Sequence, residues 1–215
     1  DSLQIPKANL LGWSMGGNEI TEFATLYPER TNKLIYFEAG YDLSEQPFKD
    51  ILRSISRSAF ADSSDLASVD SYRKWCHEFW FPDVDWNSTL ESNLQASMHV
   101  NSDSSVTSIP NDETSRITLQ SGMSYHRNYN KVIAPSLLLY TNSFFIAAKG
   151  DSATAAIYDN LEKEIISPWR QSSMNRIKSE MKNATIEIMP RGSHVSFIFL
   201  SKDEIVESIN SFLLQ

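Results

Sequence analysis

Cysteine is nearly absent from this sequence: Cys76 stands alone among 215 residues. One thiol excludes an internal disulfide and a cysteine metal cluster, and leaves Cys76 the role of a small buried apolar side chain. Positive charge is short too. Nineteen Lys and Arg face 27 Asp and Glu, for a net charge of −8 at pH 7. A surplus of that sign argues against nucleic acid and an anionic membrane as partners. No apolar run approaches the roughly 20 residues of a transmembrane helix, and the first residues lack the pattern of a secretory signal. Repeats and low-complexity segments are missing as well. What remains, 41% hydrophobic and 11% aromatic, is ordinary globular composition, enough for one large domain or a core with a cap. Nothing in it marks a compartment.

Glycine is scarce, at seven residues, yet Gly12, Gly16 and Gly17 surround one serine. Gly12-Trp13-Ser14-Met15-Gly16 is a G-x-S-x-G sequence. It follows a short apolar run from Ala8 to Leu11 and opens a helical pattern with Ile20, Phe23, Ala24 and Tyr27 on one face. Strand, sharp turn through serine, then helix is the context of a nucleophile elbow. A serine at so tight a tip sits in strained backbone, and the residues two before and two after it crowd each other. The helix N-terminus favours negative charge, and the Met15 N–H is directed where a tetrahedral oxyanion would form.

Lys33-Leu34-Ile35-Tyr36-Phe37 reads as a strand buried on both faces, ending at Glu38 with Asp42 four residues on. Ser14 and Glu38 thus close two successive strands joined by a helix, a βαβ unit that implies a parallel sheet. Residues 44–130 change character. Phe48, Ile51, Leu52 and Ile55 make one amphipathic stripe; Tyr72, Trp75, Cys76, Phe79 and Trp80 make another; Leu90, Leu94 and Met98 make a weaker third. Residues 101–114 read as a loop, and strand runs are absent, so the region is expected to be a helical insertion over the strand ends. The α/β pattern returns with a strand at 134–140, helical stretches at 153–165 and 169–182, and a last strand at 184–189. Ser201 with Glu204 predicts a capping box for a closing helix that buries Ile205, Val206, Ile209 and Phe212. The expected organisation is core (1–43), helical cap insertion (44–130) and core again (131–215).

A serine hydroxyl needs a base in hydrogen-bond reach, and the base needs a third group to hold its tautomer. His194, in the loop Pro190-Arg191-Gly192-Ser193-His194 after the final strand, falls on the same sheet edge as Ser14. His77, His99 and His126 lie in or near the insertion and suit surface or packing roles.

Together, the Gly12–Gly17 elbow, a helical insertion, a proline-led strand and the late Gly192-Ser193-His194 resemble the α/β-hydrolase superfamily, in pattern its capped esterase-like and peptidase-like branch. The resemblance runs over essentially the whole chain and implies the order serine, acid, histidine, which Ser14 and His194 fit. Most members place the acid just after the strand that is here Ser136–Tyr140, but Thr141-Asn142-Ser143-Phe144-Phe145 follows and no carboxylate comes before Asp151. Others take it from the preceding strand, which favours Glu38, then Asp42, then Asp151. A polar strand end at Glu38 and a turn or cap at Asp42 are the plain alternatives.

The resemblance also implies four strands ahead of the elbow strand, one of them feeding a loop with a second oxyanion N–H. None stands in this sequence. The expectation is the second half of a mainly parallel α/β-hydrolase sheet, with the N-terminal half in cis or on a separate chain and the elbow strand a bare edge. Loss of one oxyanion donor costs about 10²–10³ in rate, so these residues alone are expected to turn over poorly. The implied function is a serine hydrolase acting on a small-molecule ester or amide through Ser14, His194 and Glu38 or Asp42, with the Met15 N–H at the oxyanion and no metal or organic cofactor. The alternative is a receptor-like member that binds a small apolar ligand.

Overall fold

Apolar runs separated by helical stripes lay down a parallel sheet. The computed structural model describes residues 4–55, 60–110 and 112–214. Strand β1 (Ala8–Trp13) turns through Ser14 into α1 (Gly16–Leu26), and β2 (Thr31–Phe37) follows. Helices α2 (Gln46–Ile55), α3 (Val69–Trp80) and α4 (Ser88–Ala96) come next, then the short strands β3 (Met98–Val100) and β4 (Val106–Ser108) and helix α5 (Asp112–Gly122). The chain returns through β5 (Ser136–Tyr140), α6 (Ser152–Leu161), a π-helical turn (Glu162–Ile166) and α7 (Ser167–Glu180). It closes with β6 (Ala184–Ile188), α8 (Phe197–Leu200) and α9 (Lys202–Leu214).

Strands β1, β2, β5 and β6 form one parallel sheet in that order. Side chains alternate across a strand. Leu34 and Tyr36 of β2 and Leu138 and Tyr140 of β5 therefore meet Ile20 and Ala24 of α1 and Ile177 of α7 on one face. Ile35, Leu137 and Leu139 meet Phe197, Ile205 and Phe212 on the other. Each large apolar side chain so buried stabilises the fold by about 1.5–3 kcal/mol. Among the described residues strand β1 pairs with β2 alone, and Leu11 and Trp13 are 52% and 39% exposed. Ser14, Glu38 and Thr141 directly follow three of these strands, and His194 lies in the loop after β6, so the parallel order gathers all four at one edge.

The insertion is not purely helical. β3 and β4 pair antiparallel, and α5 begins inside the stretch expected to be a loop. Strands of three residues show too little alternation to be read. Helix α2 packs into the main core through Phe48, Ile51 and Ile55, while Tyr72, Cys76, Leu94 and Val106 hold a smaller core of their own. Burial pushes the Cys76 thiol up to about 12, which makes it a packing group rather than a nucleophile. Two helical stretches, 153–165 and 169–182, fuse through the π-helical turn, whose wider register just ahead of Pro168 accommodates the proline ring and its missing N–H. At the closing helix, Val206 is 49% exposed rather than buried. The expected capping box does not form: the Ser201 hydroxyl donates to the Arg191 carbonyl and accepts the Arg191 N–H, and Glu204 takes the Arg191 guanidinium. Among the described residues no helix is long and apolar enough to cross a membrane.

Candidate active site

The turn after β1 is forced by close approach. A Cβ on Gly12 would lie 2.3 Å from the Gly16 carbonyl oxygen, and one on Gly17 would lie 2.5 Å from the Ala39 Cβ. Gly16 departs from expectation, since a Cβ there meets nothing within 4 Å; the crowding lies at positions 12 and 17. Ser14 holds φ +53°, the left-handed region, which costs a non-glycine residue about 1–3 kcal/mol. Its N–H still extends the sheet, donating to the Phe37 carbonyl at 3.0 Å. Met15 is the N-cap of α1, so its N–H is among the amides a helix leaves without an internal acceptor.

His194 arrives from beyond the opposite edge strand. Its Nε2 lies 2.9 Å from Ser14 Oγ and its Nδ1 3.1 Å from Glu38 Oε2. Glu38 follows β2 at φ +44° and is wholly buried. A carboxylate only accepts, so the geometry assigns the imidazole proton to Nδ1 and leaves Nε2 to accept from the Ser14 hydroxyl. Neutral donors hold Glu38. Its Oε1 accepts the Thr141 N–H. The Thr141 hydroxyl lies 3.0 Å from that oxygen and 2.8 Å from the Ser143 carbonyl, one proton between two acceptors. The Tyr41 hydroxyl donates to Oε2 at 3.4 Å. Burial, joined by the Glu38 charge, holds the Tyr41 phenol well above its ordinary range, so it remains a donor.

His194 is fixed on several sides. The His194 ring stacks on Phe144, with centroids 4.0 Å apart and 15° between planes. Its backbone N–H donates to the Phe144 carbonyl at 3.2 Å, and its carbonyl accepts the Trp13 indole N–H at 3.0 Å. Behind it the Ser196 hydroxyl accepts the Ser193 N–H and donates to Asp83, both at 2.8 Å. Asp83 lies between α3 and α4, so the insertion itself reaches the loop that carries His194.

The other candidates lie elsewhere. Asp42 accepts from the Arg127 backbone N–H and from Arg176, both at 2.8 Å, and from the Ser44 hydroxyl at 2.6 Å; His126 Nδ1 is also 2.6 Å away. Burial works to raise its carboxyl, but donors from Ser44, Arg176 and Arg127 outweigh that and hold it below the ordinary carboxylate range. Asp42, the second choice for the acid, has its oxygens committed to this cluster, whereas Glu38, the first choice, is the carboxylate beside His194. Asp151 caps α6, accepting the Thr154 N–H at 3.0 Å. His77 meets the Val84 carbonyl at 3.1 Å, and His99 lies on β3. Asp42, Glu45 and His126 bring possible metal-ligating atoms within 4.8 Å of one another. Arg176, 2.8 Å from Asp42 and 3.6 Å from Glu45, already supplies the positive charge there.

No protein-family model matches the sequence, and no curated protein does. Solved structures match over the whole chain. An E-2-(acetamidomethylene)succinate hydrolase aligns with a TM-score of 0.72 at 13% identity, over 100% of this chain and 69% of that one. The thioesterase domain from the curacin biosynthetic pathway gives 0.63 at 16%, over 100% and 69%. A carboxylesterase from Bacillus subtilis gives 0.58 at 18%, over 99% and 62%. The chain has the α/β-hydrolase fold. Within this α/β-hydrolase fold, the residues that sequence reasoning missed are Thr141, Tyr41, Trp13, Phe144 and Asp83. Thr141 had a signal. It stands directly after β5, where the resemblance expects an acid, and a donor there is the complement of an acid on the neighbouring strand. Phe144 and Asp83 meet the His194 loop only through tertiary packing, which leaves no local pattern.

Proposed function

We propose that this chain is a serine hydrolase that transfers an acyl group from an ester or amide to water. The observation that carries the reading is the relay from Ser14 through His194 to Glu38, at 2.9 and 3.1 Å. Ser14 Oγ bonds to the carbonyl carbon while its proton passes to His194 Nε2. The Met15 N–H faces the developing oxyanion. The carbonyl carbon then breaks from the leaving oxygen or nitrogen, which takes the proton from Nε2. Water repeats the sequence: its proton goes to Nε2, its oxygen bonds to the acyl carbon, and Ser14 leaves with the proton restored to Oγ. Glu38 holds the tautomer and stabilises the imidazolium that forms in each half-reaction. The structural neighbours named as a hydrolase, a thioesterase domain and a carboxylesterase are consistent with acyl transfer. An acid on His194 favours turnover over the receptor-like alternative.

The test is labelling with a fluorophosphonate, read by intact mass. One adduct is expected on the wild type and none on Ser14→Ala. A natively folded wild type that takes no adduct would overturn the reading.

A further inference from the structure

The cavity over Ser14 and His194 measures about 380 Å³. Phe144 and Phe145 close it on the core side; Ile51 and Ile55 of α2, Trp75 of α3 and Leu119 of α5 close it on the other. Among the described residues that line it, none carries a formal charge, and the aliphatic hydroxyls besides Ser14 are Ser108 and Ser115. Arg116 lies over the Phe60 ring, 5.3 Å from its centroid, without lining the cavity. A larger cleft of about 780 Å³ runs alongside, with Asp65, Lys74, Glu78 and Lys149 in its walls, but neither Ser14 nor His194 opens into it. Among the described residues, charge lines this neighbouring cleft and is absent from the cavity that meets Ser14 and His194.

A carboxylate carried into the smaller cavity away from Ser14 and His194 loses its water and meets no cation among the described lining residues, which is strongly unfavourable; the head group of a fatty acid stays at the Ser14 end, beside the Met15 N–H. An alkyl chain gains roughly fourfold in affinity for each methylene it buries. At about 30 Å³ per non-hydrogen atom, the volume takes roughly a dozen such atoms. A second cavity of about 320 Å³ also meets Ser14 and His194, beside Trp13 and Val195, and leaves separate room for a leaving group. We infer that the acyl limb of the substrate is an uncharged, apolar chain of about six to ten carbons, seated between the core edge and helices α2 and α5. The turnover part of this inference rests on the serine-hydrolase reading; the binding part does not.

Binding is tested first, by calorimetric titration of octanoate and of succinate into Ser14→Ala. Octanoate is expected to saturate with a negative heat-capacity change and to bind at least about tenfold more tightly than succinate. Leu119→Trp, at a half-buried site on α5, should weaken octanoate about tenfold by filling the cavity. Turnover is then compared for p-nitrophenyl acetate, octanoate, palmitate and hydrogen succinate. The octanoate ester should have the highest kcat/KM and exceed the succinate ester by about 100-fold or more. Ser115→Arg should narrow that gap about tenfold by placing a cation in the wall. Octanoate binding no tighter than succinate, or equal turnover of their esters, would overturn the inference. If Ser14 neither labels nor turns over any ester, the hydrolase reading falls, and the two titrations alone decide the cavity.

Discussion

Glu38 and Asp42 leave the same strand four residues apart, and both are buried, at 0% and 2% exposure. Their surroundings divide them. Glu38 is held directly by an amide, a threonine hydroxyl and a phenol, all neutral, with the buried Arg170 guanidinium behind the phenol, and its Oε2 faces His194. Asp42 is held by the Arg176 guanidinium, with His126 beside it and an arginine backbone N–H behind it, and its charge is spent there. Burial alone therefore does not select the acid of a relay. What distinguishes Glu38 is that its donors at Oε1 and Oε2 are uncharged apart from His194 and that the Arg170 guanidinium reaches it through the Tyr41 hydroxyl, whereas a guanidinium bonds Asp42 directly. Asp42 in turn fastens α7 and the end of the insertion to the loop after β2, through Arg176 and Arg127.

The sharpest way to break this comparison is Glu38→Gln, which keeps the shape and removes the charge. An amide can present its NH₂ to Nδ1 and trap the wrong tautomer, so kcat should fall by about 10⁴ with the fold intact by circular dichroism. A loss of less than tenfold would remove the distinction between the two carboxylates.

Asp42→Asn should act in the opposite currency. Losing the charged partner of Arg176 should cost about 1.5–3 kcal/mol of stability in urea unfolding, with kcat changed by no more than a few-fold. The pH dependence has a definite sign. The folded carboxyl lies below its ordinary value, so the unfolded chain binds the proton first as the solution is acidified. Its stabilisation is complete above about pH 4, the value for an unfolded aspartate, and is lost as pH falls through the lowered folded value. Urea midpoints measured from pH 3 to pH 7 should drop on the acid side in the wild type and drop less in the variant, where Glu91, Asp103, Asp151 and Glu204 still carry lowered carboxyls.

Thr141→Val is the gentlest of the three. It removes a hydroxyl that Glu38 shares with the Ser143 carbonyl and leaves the Thr141 N–H in place. A loss of about tenfold in kcat, close to 1.4 kcal/mol, is expected with KM unchanged. A larger loss in KM than in kcat would mean that Thr141 shapes the pocket rather than orienting the acid.

How much of this was legible depends on whether the cause is local. The elbow is read from glycines a few residues apart, because collisions at Gly12 and Gly17 are events within one βαβ unit. Gly16 fits the pattern without being required by it, a warning that a motif position and a physical constraint are separate things. His194 and Glu38 are read from strand ends, since parallel order alone brings them to one edge. The ranking of Glu38 ahead of Asp42 rested on the resemblance alone, because the physical difference between them turns on Arg127 and Arg176, more than 80 residues away in sequence. The β3–β4 hairpin and α5 were missed because their short, polar sequences carry little periodicity.

Two residues that are not glycine, Ser14 and Glu38, hold left-handed backbone at the ends of neighbouring strands. A glycine at position 14 would relieve about 1 kcal/mol or more of that strain. At this chain length each kcal/mol recovered raises the melting temperature by about 2–4 °C. The molecule would then be sturdier inert than active. Robustness and reactivity pull against each other at this one turn, and selection for folding alone would erode the serine rather than preserve it.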